Sequence, residues 1–399
     1  PLFPGNILKG GEPHLDAILM SLMTALNEGL MINVYQRDTD DFYTGYVKAL
    51  GNNAVILATY NDAGIADGSV WLNFAAIAQV EFAGVDLDDM QFRIGVAESE
   101  HFLSLAGQEQ PLKFDATNDL LGQLVTQVQA TQQVVMVILA DDDAYLEGQV
   151  VAVGEDHFQF NVFNKFNFTD KREMTVDYSD VLVVEFQGLD LCQETALVSK
   201  RDTLKHVKSA LIPNDGQLGD IFSEAMVTGK MLAVMPKGNE DQFFVGTVKA
   251  LNTDTVVLSL KDMAAQFGGY VAIRLPEIQS VTIASDYLQT VKFYEQWDVD
   301  HDFTQQPVLN ADREFDSSDD LIQGLVASAA AFSRVIRIRV ADTDEHLLGY
   351  PAQLTATGFV MNLVNEEAGE QVPVRFDAVL ELAFGHIYAY LQEALDHRE

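Results

Sequence analysis

The sequence predicts a mainly β protein of mixed α+β class, in which one pattern, a helix followed by five short strands, is written four times. The first observation behind this is that FYTGYVKAL (42–50) returns 201 positions later as FFVGTVKAL (243–251), with six of nine residues identical. The same shift carries Phe114-Asp115 onto Phe315-Asp316, then Asp119, Leu120, Leu124 and Val125 onto Asp320, Leu321, Leu325 and Val326. The second is that Gly45, Gly148, Gly246 and Gly349 are spaced by 103, 98 and 103 residues. The third is a gapless match of apolar positions late in each quarter: Phe74, Ile77, Val80, Phe82; Tyr178, Val181, Val184, Phe186; Leu275, Ile278, Val281, Ile283; and Phe376, Val379, Leu382, Phe384. A self-match at a fixed period marks a repeated structural unit. The chain is therefore expected to be a duplicated pair of quarters, A-B-A-B, divided at 1–113, 114–212, 213–313 and 314–399.

Each quarter opens on an amphipathic stretch: HLDAILMSLMTALNEG, TNDLLGQLVTQVQATQQ, GQLGDIFSEAMVTGK and SSDDLIQGLVASAAAFS. Apolar residues recur there at three- and four-residue steps, and Asn, Ser or Asp stands near most starts as an N-cap. A first strand follows (LMINVYQ, VVMVILA, MLAVMPK, VIRIRVA), and in the last of these Ile336, Ile338 and Val340 alternate with Arg337 and Arg339. That is the period of two of a strand with one buried face. The second strand carries the glycine, with Val47, Val150 and Val248 two residues on and Pro351 in that place in the last quarter. The third reads AVILATY, HFQFNVF, TVVLSLK and GFVMNLV, and the last two strands complete each set. The stretches 84–112 and 285–313 read as connectors.

A helix, a strand, an apolar-x-Gly-x-Val strand, a third apolar strand, a variable loop and a closing Ile-x-x-Val-x-Phe together resemble the Sm-like (LSm and Hfq) small-barrel family, over roughly 60 to 70 residues of each quarter. The resemblance implies four tandem Sm-like barrels, each a helix plus five strands. It also implies a way of assembling, since barrels of this family join neighbours edge strand to edge strand. In the family a polar residue near the turn after the glycine strand, with stacking groups beside it, completes a nucleotide pocket. Here that turn has Gly51, Gly154, Asn252 and Thr355, followed by Ala54, His157, Thr255 and Gly358, so the nucleotide-reading set is missing.

Charge and composition bound the function. A formal net charge of −36 over 399 residues repels phosphate backbones and anionic lipid. Every quarter shares it, with −11, −8, −7 and −10 over 1–115, 116–214, 215–310 and 311–399. Nucleic acid is thus an unexpected partner, because non-specific affinity comes from Lys and Arg neutralising phosphates. The longest helix-like apolar run, AILMSLMTAL, falls short of the ~20 residues that span a bilayer. PLFPGN lacks the basic start and apolar stretch of a signal peptide, which leaves the cytoplasm of a bacterium as the expected compartment. The single cysteine, Cys192, allows no internal disulfide and reads as an inert buried thiol.

Candidate chemistry is sparse. Acidic pairs in the hairpin turns (Asp38 and Asp40, Asp141 and Asp143, Asp342 and Asp344, with Asn239 and Asp241 in the third quarter) read as solvated turn residues, with weak cation binding as the other reading. Asp298, Asp300 and Asp302 stand at the first three ligand positions of a calcium loop, yet Phe303 and Leu309 occupy its glycine and glutamate positions, which excludes an EF-hand. No dinucleotide, Walker or nucleophile-elbow motif is present, so no catalytic, cofactor-binding or metal residue is assigned. Trp71 and Trp297 read as packing groups. Arg334, Arg337 and Arg339 form the one concentrated positive stripe, either paired with acidic neighbours or docking an acidic partner. Two functional readings stay open. One is a non-catalytic scaffold that meets protein partners, or further copies of itself, through barrel edge strands or helix faces. The alternative is an RNA-binding regulator using a local patch.

Overall fold

The structure is a computed structural model that describes residues 11–37, 39, 41–102, 111–140, 145–238, 243–303, 309–318, 320–341, 346–364 and 370–396. It is a mixed α+β protein with eight helices and two large antiparallel sheets, and no closed barrel occurs among the described residues. Two compact units divide it: 1–97, 104–164 and 170–201 form the first, and 98–103, 165–169 and 202–399 the second.

Unit 1 runs α1 (Gly11–Glu28), β1 (Met31–Gln36), β2 (Phe42–Leu50), β3 (Ala54–Tyr60), β4 (Ala66–Asn73), β5 (Ile77–Glu81), α2 (Val85–Ser99), then α3 (Leu120–Thr131), β6 (Val134–Leu139), β7 (Leu146–Val153), β8 (His157–Phe163), β9 (Lys171–Asp177), β10 (Val181–Phe186) and α4 (Leu189–Ser199). Its ten strands lie in the order β5-β1-β2-β3-β4-β10-β6-β7-β8-β9. Each set of five thus has the order 5-1-2-3-4, and the fourth strand of the first set pairs with the fifth of the second.

Unit 2 repeats this plan with β11 (Leu211–Pro213), α5 (Leu218–Thr228), β12 (Met231–Pro236), β13 (Phe244–Leu251), β14 (Thr255–Lys261), β15 (Phe267–Arg274), β16 (Ile278–Thr282) and α6 (Asp286–Asp300). It continues through α7 (Leu321–Ala331), β17 (Ile336–Val340), β18 (His346–Ala352), β19 (Gly358–Leu363), β20 (Gln371–Arg375), β21 (Val379–Phe384) and α8 (Ile387–Asp396). Its sheet reads β11-β16-β12-β13-β14-β15-β21-β17-β18-β19-β20. The two junctions share one register. Ser69, Val70, Trp71 and Leu72 face Phe186, Glu185, Val184 and Val183, while Tyr270, Val271, Ala272 and Ile273 face Phe384, Ala383, Leu382 and Glu381.

The recurring glycine has a steric cause. A Cβ on Gly45, Gly148, Gly246 or Gly349 would stand 1.9, 2.3, 2.1 or 2.1 Å from the carbonyl oxygen of Ala58, Asn161, Ser259 or Asn362 on the third strand, so only glycine permits that approach. Just beyond it the register slips at Val47/Ala49, Val150/Ala152 and Val248/Ala250, bulges that bend the strand. In the last set, where Pro351 replaces the valine, β18 and β19 pair without such a slip.

The apolar patterns follow from the junctions. Strands β3 and β4 are buried on both faces: Val55, Leu57, Val70 and Leu72 enter one core, and Ala54, Ile56 and Trp71 the other. In unit 2, Val256, Leu258, Val271 and Ile273 enter one core, and Val257, Tyr270 and Ala272 the other. Strand β8 lies farther from the junction and alternates, with Phe158 and Phe160 buried and Gln159 and Asn161 less so. The Phe-Asp motifs repeat too. Phe114 and Phe315 meet Phe186 and Phe384 edge-on at 6.0 and 6.2 Å, while Asp115 and Asp316 accept from the amides of Thr117 and Ser318 at 2.9 Å each. The side chains of Asp119 and Asp320 cap α3 and α7 as expected.

One expectation is corrected. The connectors 84–112 and 285–313 contain helices α2 and α6, and α4 and α8 occupy the matching place after the other two sets. Helix α2 is only partly amphipathic, with Leu87, Met90 and Phe92 buried among four acidic residues, so its periodicity is faint. The quarters are not separate sheets, because strand pairing merges them two by two. The DVDHD stretch is mainly helix end, with Asp298 buried in α6 and its carbonyl accepting from Phe303 N at 2.8 Å.

Candidate functional site

Segment 334–339 leaves α7 and forms β17, beside β21. It carries all three arginines expected to form a positive stripe, and each meets a carboxylate. Arg334 donates from Nε and Nη2 to Glu393 at 3.0 Å each. Arg337 Nη2 and Arg339 Nε lie 3.6 and 3.8 Å from the two oxygens of Glu381. Glu381 is 3% exposed on β21. Its burial pushes its carboxyl pKa up, while Arg337 and Arg339 pull it down. The acidic-neighbour reading of the stripe is the one the geometry gives.

A cavity of about 420 Å³ opens beside this segment in unit 2. Its floor is Tyr270, Phe384, Leu325 and Ile336, Phe332 stands 74% exposed at its lining, and Arg313 and Arg334 supply its charge together with Glu393. The Tyr270 hydroxyl donates to Asn310 O at 2.9 Å and accepts from Arg313 N at 3.1 Å, fixing the approach to Arg313. The guanidinium of Arg313 sits 5.1 Å from the Phe384 ring centre and 5.6 Å from that of Phe315, and its Nη2 donates to Ser328 Oγ at 2.8 Å. Arg313, Tyr270, Glu381 and Glu393 were not singled out in the sequence. The signal that could have found Arg313 is its departure from Leu112 in the otherwise matching unit 1.

Unit 1 has its own polar junction. The Tyr43 hydroxyl donates to Glu185 Oε1 at 2.5 Å, and burial raises the Glu185 pKa to about 7. A small cavity of about 180 Å³ includes these residues with Asp67 and Asp190.

The remaining sequence candidates separate widely. The acidic hairpin pairs Asp38 and Asp40, Asp141 and Asp143, Asp241 with Asn239, and Asp342 and Asp344 lie outside the described residues. No group of three His, Cys, Asp or Glu side chains able to hold a metal occurs among the described residues. Cys192 is buried, as expected of an inert thiol. Trp71 is buried in a core and Trp297 stacks on His301 and Phe303. No helix among the described residues is long and apolar enough to cross a membrane.

No family model matches this chain, and no curated protein matches it. Among solved structures it is similar, at 8% identity over 91% of this chain and 89% of the other, to the crystal structure of the four MBT repeats of Drosophila melanogaster Sfmbt in complex with peptide RHR (me)K VLR, with a TM-score of 0.12. At that score the likeness supports no statement about fold or site.

Proposed function

We propose that this chain is a non-catalytic cytosolic interaction module of four tandem Sm-like small barrels, and that it engages a protein partner through the outward side of α1. The barrel reading is supported by the strand order 5-1-2-3-4 in every set, by the glycine-centred bend, and by the fourth-to-fifth strand pairing that merges each A-B pair. The partner reading rests on one observation. Helix α1 buries Ile18, Leu22 and Ala25, yet Met20 and Met23 on its outward side are 63 and 43% exposed, and Leu15 and Leu26 at the margin of the core face are 43 and 39% exposed. Exposed methionines on the solvent side of an amphipathic helix, flanked by half-exposed leucines, suit another protein's surface, and methionine adapts to varied partners.

Self-association through strand edges has less support. The edge of β16 is covered by β11, β20 carries Pro373, and β9 opens with Lys171, Arg172 and Glu173. Covering, proline and charge all blunt an edge. The RNA reading has less support, since Glu393 pairs with Arg334 and Glu381 is shared by Arg337 and Arg339. A fluorescence-polarisation titration with uridine-rich and adenine-rich oligonucleotides at about 0.15 M salt separates the two readings. The expected result is no binding at micromolar protein, and saturable micromolar binding would favour the RNA regulator instead.

A further inference from the structure

The cavity beside Arg313 differs from its counterpart in unit 1 in a consistent direction. At the matching positions unit 1 has Leu112 for Arg313, Gln133 for Arg334 and Thr195 for Glu393, so all three charges are additions relative to it. The backbone does not require them. Val134 N donates to Thr195 Oγ1 at 2.9 Å, just as Val335 N donates to Glu393 Oε1 at 2.8 Å. Space changes as well. In unit 1 the Gln127 carboxamide accepts from Lys113 N at 3.1 Å and donates to Lys113 O at 2.9 Å, whereas its counterpart Ser328 is shorter and bonds Arg313 instead.

Arg313 is therefore a half-buried cation with unused donors. Among the described residues it has no carboxylate within ion-pair distance, in a chain with 60 acidic residues, and Nε and Nη1 make no hydrogen bond. Burial, and Arg334 nearby, both lower its pKa, a cost that a bound anion would offset. With Arg334 and one carboxylate, Glu393, the cavity carries one net positive charge over an aromatic floor. Its volume falls in the range of small-molecule sites, about 300–1,000 Å³.

We propose that this cavity binds a small organic acid, its single carboxylate received by the Arg313 fork with Arg334 alongside, and its aromatic or aliphatic body resting on Phe384, Tyr270 and Leu325. The planar guanidinium suits a carboxylate in a two-bond arrangement, and the apolar floor disfavours a multiply charged phosphate. The inference is independent of the α1 partner surface, because it concerns unit 2 alone.

Isothermal titration calorimetry on the full chain tests it, with 2-naphthoate, the neutral 2-naphthamide, inorganic phosphate and an acetylated Gly-Gly-Phe tripeptide with a free carboxylate. The expected result is one naphthoate per chain, with the amide weaker by at least about tenfold and no heat from phosphate. Arg313→Gln removes the charge, and Ser328→Gln restores the residue of unit 1 while leaving both arginines. Each should weaken naphthoate by at least about tenfold. Should Arg313→Gln fail to fold, Ser328→Gln still decides. The proposal is overturned if naphthoate gives no heat at millimolar concentration, if the amide binds as well as the acid, if Ser328→Gln binds like the parent, or if phosphate or the tripeptide binds in its place.

Discussion

Tyr43 on β2 holds Glu185 on β10 with a hydrogen bond of 2.5 Å, and so ties the two strand sets of unit 1 across 142 residues of sequence. Burial raises the Glu185 pKa from 4.5 to about 7, so the folded state holds its proton where the unfolded chain has released it. A raised folded value means that stability is present below pH about 4.5 and declines as pH climbs through about 7. Glu185→Gln keeps the acceptor and removes the ionisation. Urea unfolding of the parent should show stability falling by up to about 3 kcal/mol over that window, and the variant should lack that component. Parallel pH profiles for the two would contradict the assignment.

Gly148→Ala places a methyl 2.3 Å from the Asn161 carbonyl oxygen, a contact that backbone alone can relieve. A loss of at least about 2 kcal/mol is expected in denaturant titration. Gly324, with open space around its Cβ position and no positive φ, is the control, and Gly324→Ala should be neutral or slightly stabilising by helix propensity.

Arg274 closes the junction of unit 2. Its Nε donates to Val379 O at 2.8 Å, its Nη2 to Phe376 O at 2.9 Å and its Nη1 to Asp254 at 2.7 Å. Arg274→Ala leaves two carbonyls short of a donor and should cost about 2–4 kcal/mol, read as a lowered melting temperature. Hydrogen exchange should quicken first in β15 and β21. Unchanged protection in those strands would show that the bonds do not hold the junction.

Much of this fold was legible because geometry repeats. The glycine strand, the Phe-Asp turn and the Asp caps each recur wherever the same contact recurs. Even the junction left a trace, since AVIL and TVVL are buried on both faces where HFQF alternates, though only the pairing explains why. The helices after the first three sets stayed hidden behind mixed polarity, as in DYLQTVKFYEQWDVD. The arginine stripe could be read, but its carboxylates could not, because Glu381 and Glu393 come from strands and helices more than forty residues away.

Those carboxylates make the expected lack of nucleic-acid affinity testable from the other side. Glu381→Gln with Glu393→Gln should free the stripe of Arg334, Arg337 and Arg339. The double variant is expected to gain measurable, salt-sensitive oligonucleotide binding relative to the parent, with a shallow salt slope from about three phosphate contacts. If it gains none, pairing is not what silences the patch.

The central claim, that the outward side of α1 is a protein-binding surface, is tested most directly by a quantitative affinity pull-down from native cytosol, comparing the parent with Met20→Glu/Met23→Glu. Met20 and Met23 are 63 and 43% exposed, so the exchange should leave folding intact, as circular dichroism would verify. The account predicts a defined protein recovered in stoichiometric amount with the parent and depleted at least about tenfold with the folded variant. Equal recovery with both, or no stoichiometric partner with the parent, would contradict it.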